Sequence, residues 1–196
     1  MIDAIINAIV NLIDYSGYPG IFILMTLESA LIPIPSEIIM PFSGYLVYSG
    51  RFDFFLAVLA GTLGNLFGSV IAYYAGKKLG RSWIEKYVKF MHKEKMLEKF
   101  DAWFKKYGDA VAFFSRLMPA VRTFVSFPLG VANVKFSRFC IFTFLGSVFW
   151  TAILTYIGVL LGPHWQEMLD VFHEFEIIIL GALALGFVYF YLKKKW

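Results

Sequence analysis

Cysteine is almost absent from this chain: among 196 residues, Cys140 is the single thiol. One cysteine excludes an intramolecular disulfide and a cysteine-based metal cluster. The three histidines, His92, His164 and His173, all lie outside the long apolar runs, and no carboxylate–histidine spacing accompanies them. That leaves no zinc motif and no histidine nucleophile at membrane depth. No aspartate falls inside an apolar run, so an aspartyl intramembrane protease lacks its catalytic pair. Charge as a whole is scarce, at 16% of residues, against roughly 25% in soluble domains. A cleavable leader is not expected, because residues 1–14 carry Asp3 and Asp14, lack a basic start and lead into Tyr15-Ser16-Gly17 without a small-x-small site.

What fills the chain is hydrocarbon. Hydrophobic residues make up 59% of it, with 22 Phe, 11 Tyr and 5 Trp, and the mean hydropathy is +0.68. This is the composition of an all-α polytopic membrane protein with lipid-facing surface and interfacial aromatic anchors. The length suits one membrane domain over 1–196. The net charge of +4 is concentrated in one loop and the C-terminal tail, which reads as topology and not as nucleic-acid binding. No cofactor or metal is expected.

Residues 2–14 place their isoleucines on one helical face and Asp3, Asn7, Asn11 and Asp14 on the other. At this length the segment predicts an interfacial amphipathic helix, ended by Gly17-Tyr-Pro-Gly20. Ile21–Val47 is apolar but broken by Pro33, Pro35 and Pro41 and charged by Glu28 and Glu37. Phe54–Ala75 has 22 residues without a formal charge, about the ~20 that cross a bilayer core. Residues 81–106 alternate Lys and Arg with aromatic and aliphatic residues, the pattern of a basic amphipathic helix or helix pair on an anionic leaflet. Ala110–Ala132 is a second broken segment, carrying Arg116, Pro119, Arg122, Thr123 and Pro128. Phe139–Leu161 is a second uncharged span. An acidic loop follows over 162–176, then a final short span at 177–192 ending in Lys193-Lys194-Lys195-Trp196.

Shifted by 82 residues, positions 63–80 overlie 145–162 with eight identities, among them Gly64/Gly146, Gly76/Gly158 and Gly80/Gly162. The order of segments repeats as well, giving repeat 1 over about 1–80 and repeat 2 over about 81–162. The positive-inside bias puts the 81–106 loop, the Lys135/Arg138 turn and the C-terminus in the cytoplasm. Both broken segments then start and finish on one side, as re-entrant hairpins of an inverted repeat, the architecture of many transporters with a midplane site. A plain hydropathy count reads both as full spans instead.

A charge at mid-bilayer costs about 2.5–3.5 kcal/mol on insertion scales, so the four charges in the broken segments demand an explanation. Arg116 and Arg122 are six apart and Glu28 and Glu37 nine apart, spacings that diverge on a straight helix at 100° per residue. Proline lies between the members of each pair, so a turn at Pro119, and at Pro33 with Pro35, lets each pair face one cavity. Two guanidinium forks suit phosphate or carboxylate, and the glutamates serve as counter-ions or proton carriers. A buried Glu–Arg clamp without a ligand is the plain structural alternative. Asn65 reads first as a helix–helix hydrogen bond and second as a ligand contact.

The stretch from Leu27-Glu28 to Glu37, the block GTLGNLFGSVIAYYAGKKLGR at 61–81 and FFSRLMPAVRTFVSFPLGVANVKFSRF at 113–139 closely resemble the DedA family, the bacterial branch of the VTT-domain superfamily. The resemblance covers roughly 15–165, and Arg-x-x-Pro-x-x-Arg-Thr is its most specific part. It implies a multi-pass bacterial plasma-membrane lipid transporter moving undecaprenyl phosphate, or phosphatidylethanolamine or phospholipids in general. Glu28, Glu37, Arg116 and Arg122 are then the essential residues, with Thr123 completing the arginine motif. Ala120 stands where many members have glycine, and the second acid of some members is an Asp further from the first, so Glu37 matches less closely than Glu28. A proton- or cation-coupled small-solute transporter using the same hairpins and a non-transporting assembly protein using the basic 81–106 surface remain as alternatives. Expected partners are a membrane phospholipid or polyprenyl phosphate and anionic lipid at 81–106, with homo-oligomerisation open.

Overall fold

The computed structural model describes residues 2–32, 34–80 and 94–164, and within them the chain is helical throughout, with no strand. Pro33, residues 81–93, the acidic loop beyond His164, the 177–192 span and the lysine tail lie outside the described residues.

Helix α1 spans Ile2–Ser16 and α2 spans Tyr18–Ser29. Gly17 separates them with φ +66, a left-handed conformation open to glycine. α2 ends in a Schellman turn: the Leu31 N–H reaches the Glu28 carbonyl at 3.2 Å and the Ile32 N–H the Leu27 carbonyl at 3.1 Å. The left-handed residue of that turn is Leu31, φ +75, where glycine is usual. A side chain there costs about 1–2 kcal/mol. Pro35 caps the next helix, α3, Ser36–Tyr48. At 1.5 Å per residue, α2 and α3 are each about 20 Å long, short of the ~30 Å hydrocarbon core.

The long helix α4, Phe54–Ala75, is capped by the Asp53 carboxylate accepting from the Leu56 N–H at 2.9 Å, and it runs on through a π-helical stretch to Gly80. Helix α5 spans Glu94–Phe114. It crosses the junction near 106–110 where the sequence suggested a basic surface helix giving way to a broken segment. Only Gly108 interrupts good helix formers there, and one glycine is not enough to stop a helix. The break comes later, as a 3₁₀ turn at Ser115–Leu117, a single turn α6 at Pro119–Arg122, and α7 at Ser126–Val131. Asn133, φ +52, closes α7 in a second Schellman turn. Helix α8, Phe136–Leu160, begins 82 residues after α4.

The prolines act differently from one another. Pro119 opens α6, Pro35 caps α3, and Pro128 sits in the first turn of α7, all positions where a missing N–H costs nothing. Pro41 is not a break: it is buried inside α3, which continues past it for another seven residues to Tyr48. Neighbouring helices hold it there, as membrane interiors allow.

Among the described residues, two helices are long and apolar enough to cross a membrane, Phe54–Gly80 and Phe136–Leu160. Their faces are inverted relative to a soluble core. On α4 the exposed side chains are Phe55, Leu59, Leu63, Phe67 and Ile71, while Gly61, Thr62, Gly64, Asn65, Gly68 and Ser69 are buried. On α8, Leu145, Phe149 and Ile153 face out, and Thr143, Gly146, Ser147, Thr151 and Thr155 face in. Large apolar groups outside and small or hydroxylated ones inside is how helices pack when lipid is the solvent.

The glycines permit the contacts. A Cβ at Gly44 of α3 would overlap the Thr155 carbonyl of α8, and one at Gly158 of α8 would overlap the Pro41 carbonyl. The same meeting occurs between α7 and α4: a Cβ at Gly130 would overlap the Tyr73 carbonyl, and one at Gly76 the Phe127 carbonyl. Thus α3 crosses α8, and α7 crosses α4, backbone against backbone.

Candidate functional site

The turns that break the two apolar segments place their charges in one cluster. Glu28 is in the last turn of α2, Ser36 and Glu37 begin α3, and Arg122 ends α6. Arg122 Nη2 donates to Glu28 Oε1 and to Ser36 Oγ, joining residues 94 and 86 positions apart. Glu37 Oε1 stands 3.9 Å from the same nitrogen. The pairing is deep for Glu28, which is 3% exposed, and for Arg122, at 1%. Glu37 differs, with 34% of its side chain accessible.

Arg116 sits beside this pair but is used otherwise. Its Nη1 donates to Ser69 Oγ on α4 at 3.1 Å and to the Arg122 carbonyl at 2.8 Å, and its Nη2 donates to Ser126 Oγ on α7 at 2.6 Å. Gly146 on α8 makes room for it, since a Cβ there would lie 2.9 Å from Arg116 Cβ. The spacing suggested two arginines presented alike to one cavity. Instead Arg116 holds the backbone of the break and so sets where Arg122 goes, while Arg122 faces the acids.

The surroundings lock α4 to α8. Ser147 Oγ donates to Asn65 Oδ1 at 2.7 Å, and the Thr62 and Thr151 hydroxyls meet at 2.9 Å. Asn65 therefore serves as the helix–helix contact that was its first reading. Thr123 is half-buried just beyond α6, and among the described residues none of the site's hydrogen bonds involves it. Ser36, Ser69, Ser126 and Trp150 were not singled out in the sequence. The ring of Trp150, on α8, lies under the Arg122 guanidinium, 5.0 Å from centroid to Cζ, within cation–π range. A signal for the serines existed: Ser69 follows Asn65 by one helical turn and Ser36 adjoins Glu37, hydroxyls in a setting where most neighbours are apolar.

Among the described residues, buried polar atoms without a hydrogen-bond partner concentrate here. They are Glu28 Oε2, Ser29 Oγ, Ser115 Oγ, Arg116 Nε, Arg122 Nε and Nη1, and Trp150 Nε1, with Thr143 Oγ1 besides. Folded interiors leave few such atoms, because each costs about 1–3 kcal/mol. A cluster of mostly N–H and O–H donors, centred on a guanidinium, is built to receive an anionic or strongly accepting group. Among the described residues no group of three or more His, Cys, Asp and Glu is placed to hold a metal.

Two apolar spans turned inside out, with a charged, donor-rich cluster closed between broken helices, define an α-helical membrane protein with a polar site in its interior. Residues 34–160 match the VTT domain, and the chain belongs to that family, the DedA family among bacteria. It is 32% identical to "Undecaprenyl phosphate transporter A" of Bacillus subtilis, over 98% of this chain and 96% of that one. It is 27% identical to the protein of the same name in Staphylococcus aureus, over 94% of each. A Lactococcus lactis relative, 30% identical over 96% of this chain and 92% of its own, is named "Alkaline phosphatase-like protein". No solved structure gives a significant match.

Removing one partner of a buried ion pair leaves the other charge unpaired, at about 3–5 kcal/mol. Arg122→Ala and Glu28→Ala should each destabilise the protein by about that much, and the double variant by at least 1 kcal/mol less than their sum. Unfolding titrations in detergent or bicelles check this; additive losses would show that the two side chains do not pair.

Proposed function

We propose that the protein is a lipid transporter of the bacterial plasma membrane, and that it moves a phosphate-headed lipid, undecaprenyl phosphate, between leaflets. The observation that carries this reading is Arg122: a fully buried guanidinium with one nitrogen held by an acid and a hydroxyl, and two nitrogens unpartnered. Five N–H donors suit a phosphate better than they suit one carboxylate. The transporter name of the Bacillus and Staphylococcus relatives points to the same headgroup.

In this reading the phosphate enters on Arg122 and displaces Glu28, while Arg116 keeps the break in place. Glu28 and Glu37 then compete with the phosphate for Arg122 and drive release, taking up a proton where transport is proton-coupled. The two halves form an inverted repeat: α2, α3 and α4 answer the end of α5, the pair α6–α7, and α8. The reciprocal crossings support this, since α3 packs on the long helix of the other half and α7 does the same in return. Their glycines, Gly44 and Gly130, are 86 apart instead of 82, because Gly44 stands ten residues before the start of α4 and Gly130 six before the start of α8. In this reading the first hairpin is re-entrant, with the basic 81–106 region and the C-terminus cytoplasmic; the length of its two helices, about 20 Å each, supports it.

A zwitterionic headgroup is the second reading, and Glu37 favours it. Half-exposed and 3.9 Å from Arg122, it is placed to accept an ammonium while the arginine holds the phosphate.

Topology is tested by single cysteines at Tyr15 and Ser49 in a Cys140→Ser background, probed with a membrane-impermeant maleimide. Both should label from outside intact cells; labelling of only one would make the α2–α3 segment a full span. For transport, reconstituted protein should accelerate leaflet exchange of labelled polyprenyl phosphate, and Arg122→Ala should lower the rate at least tenfold. Unchanged exchange in that variant contradicts the site, and exchange of phosphatidylethanolamine alone selects the second reading.

A further inference from the structure

We infer that Trp150 is a headgroup-binding residue, its indole N–H donating to the same phosphate that Arg122 holds; this rests on the reading above. Three observations on the molecule converge on it. The ring face lies under the Arg122 guanidinium at 5.0 Å. The body of the ring packs against the hydrophobic cluster that includes Ile38, Ile39, Met40 and Leu154. Yet Nε1 is buried and has no hydrogen-bond partner. Packing and stacking use the ring's apolar body and its face, and neither makes use of the N–H. An indole N–H is a donor and nothing else, and buried ones ordinarily find an acceptor. The chemistry therefore calls for an acceptor from outside the chain, shared with the guanidinium over the ring, that of Arg122, whose Nε and Nη1 are likewise unpartnered.

The ring is held in place from both sides along α8. Ser147, one turn before, is bonded to Asn65, and Thr151, the next residue, to Thr62, so the rotation of α8 about its axis is fixed against α4. The position also exists in one half only. The residue 82 places earlier is Gly68, where a Cβ would overlap the Thr26 carbonyl and lie 3.0 Å from the Ala30 nitrogen, leaving no room for a ring. A site built from two similar halves is thus made one-sided: acids from α2 and α3 on one flank of Arg122, the indole of α8 on another. The acids hold Arg122 when no phosphate is bound, and Trp150 adds a contact that only the bound anion can make.

The test uses the full chain in phosphatidylcholine nanodiscs with the indole nitrogens labelled, the Trp150 signal being assigned by its loss in Trp150→Phe. Polyprenyl monophosphate and, separately, inorganic phosphate are titrated in. The Trp150 N–H signal should move downfield and saturate with the lipid, more weakly with inorganic phosphate. Trp150→Phe, which keeps an aromatic face beneath Arg122 but is smaller and lacks the indole N–H, should still fold and should bind the lipid about tenfold more weakly. A Trp150 signal that stays put while the lipid saturates the protein, or Trp150→Phe binding as tightly as the parent chain, overturns the inference and leaves the transport reading standing. Should Trp150→Phe fail to fold, the signal of the parent chain still decides. Movement with inorganic phosphate alone keeps Trp150 as an anion donor and overturns the lipid headgroup reading. Binding of neither ligand by the parent chain overturns both.

Discussion

Everything inside this protein is arranged around one buried ion pair, Arg122 with Glu28, formed between segments almost half the chain apart. Two charges taken out of water recover their desolvation only with good geometry and added hydrogen bonds, and apolar residues of similar size often stabilise a fold better. Here the geometry is supplied by breaks in helices. α2 must stop at Ser29 for Glu28 to turn inward, and the chain must be interrupted between Leu117 and Ser126 for Arg122 to meet it. Arg116 uses its whole terminal fork to hold that interruption together, through Ser69, Ser126 and the Arg122 carbonyl. The pair is therefore an expensive feature that the surrounding structure is shaped to maintain, while Arg122 keeps two nitrogens free for something else.

The second constraint is the solvent. Lipid offers no hydrophobic drive for one apolar helix to bind another, so close backbone approach and hydrogen bonds must do that work. Gly44, Gly76, Gly130 and Gly158 give the approach, with a Cβ at each meeting a backbone carbonyl. The Asn65–Ser147 and Thr62–Thr151 bonds give the polar contacts. The glycines sit where the broken segments cross the long helices, and the polar bonds join the long helices to each other, so the contacts that close the protein also fix the walls of its site. A displacement of either broken segment would have to pass through these crossings.

The spans were legible in the sequence because composition and length alone decide them: the α4 boundaries agree to the residue, and α8 starts three residues earlier than read. Glu28 and Arg122 were legible because an ionised group in an apolar run is costly and must be matched. Asn65 was legible as a helix–helix contact because an amide inside an apolar span needs a hydrogen-bond partner. What could not be read was direction. A spacing of six positions from Arg116 to Arg122 says that a break is needed, but not how a 3₁₀ turn and a single α-helical turn will aim each side chain, and so the two arginines looked equivalent. Pro41 was misread because proline breaks helices in water, whereas packing inside a membrane protein can hold one in place. The passage from surface helix to broken segment near 106–110 was misplaced because the change there is one of composition with no proline; Gly108 alone does not stop a helix, and only the 3₁₀ turn at Ser115 ends it. Trp150 passed as one more aromatic among many; its role depends on which of its atoms is left without a partner.

The central claim is that lipid phosphate and Glu28 exchange places on Arg122. Solid-state NMR distance measurement between phosphorus and the guanidinium nitrogens, on protein in bilayers loaded with polyprenyl monophosphate, tests it most directly. A short phosphorus–nitrogen contact at Arg122 is expected, with the Arg122–Glu28 contact weakened in the same sample. Phosphorus contacts confined to lysines at the membrane surface, with the Arg122–Glu28 pair intact, would contradict it.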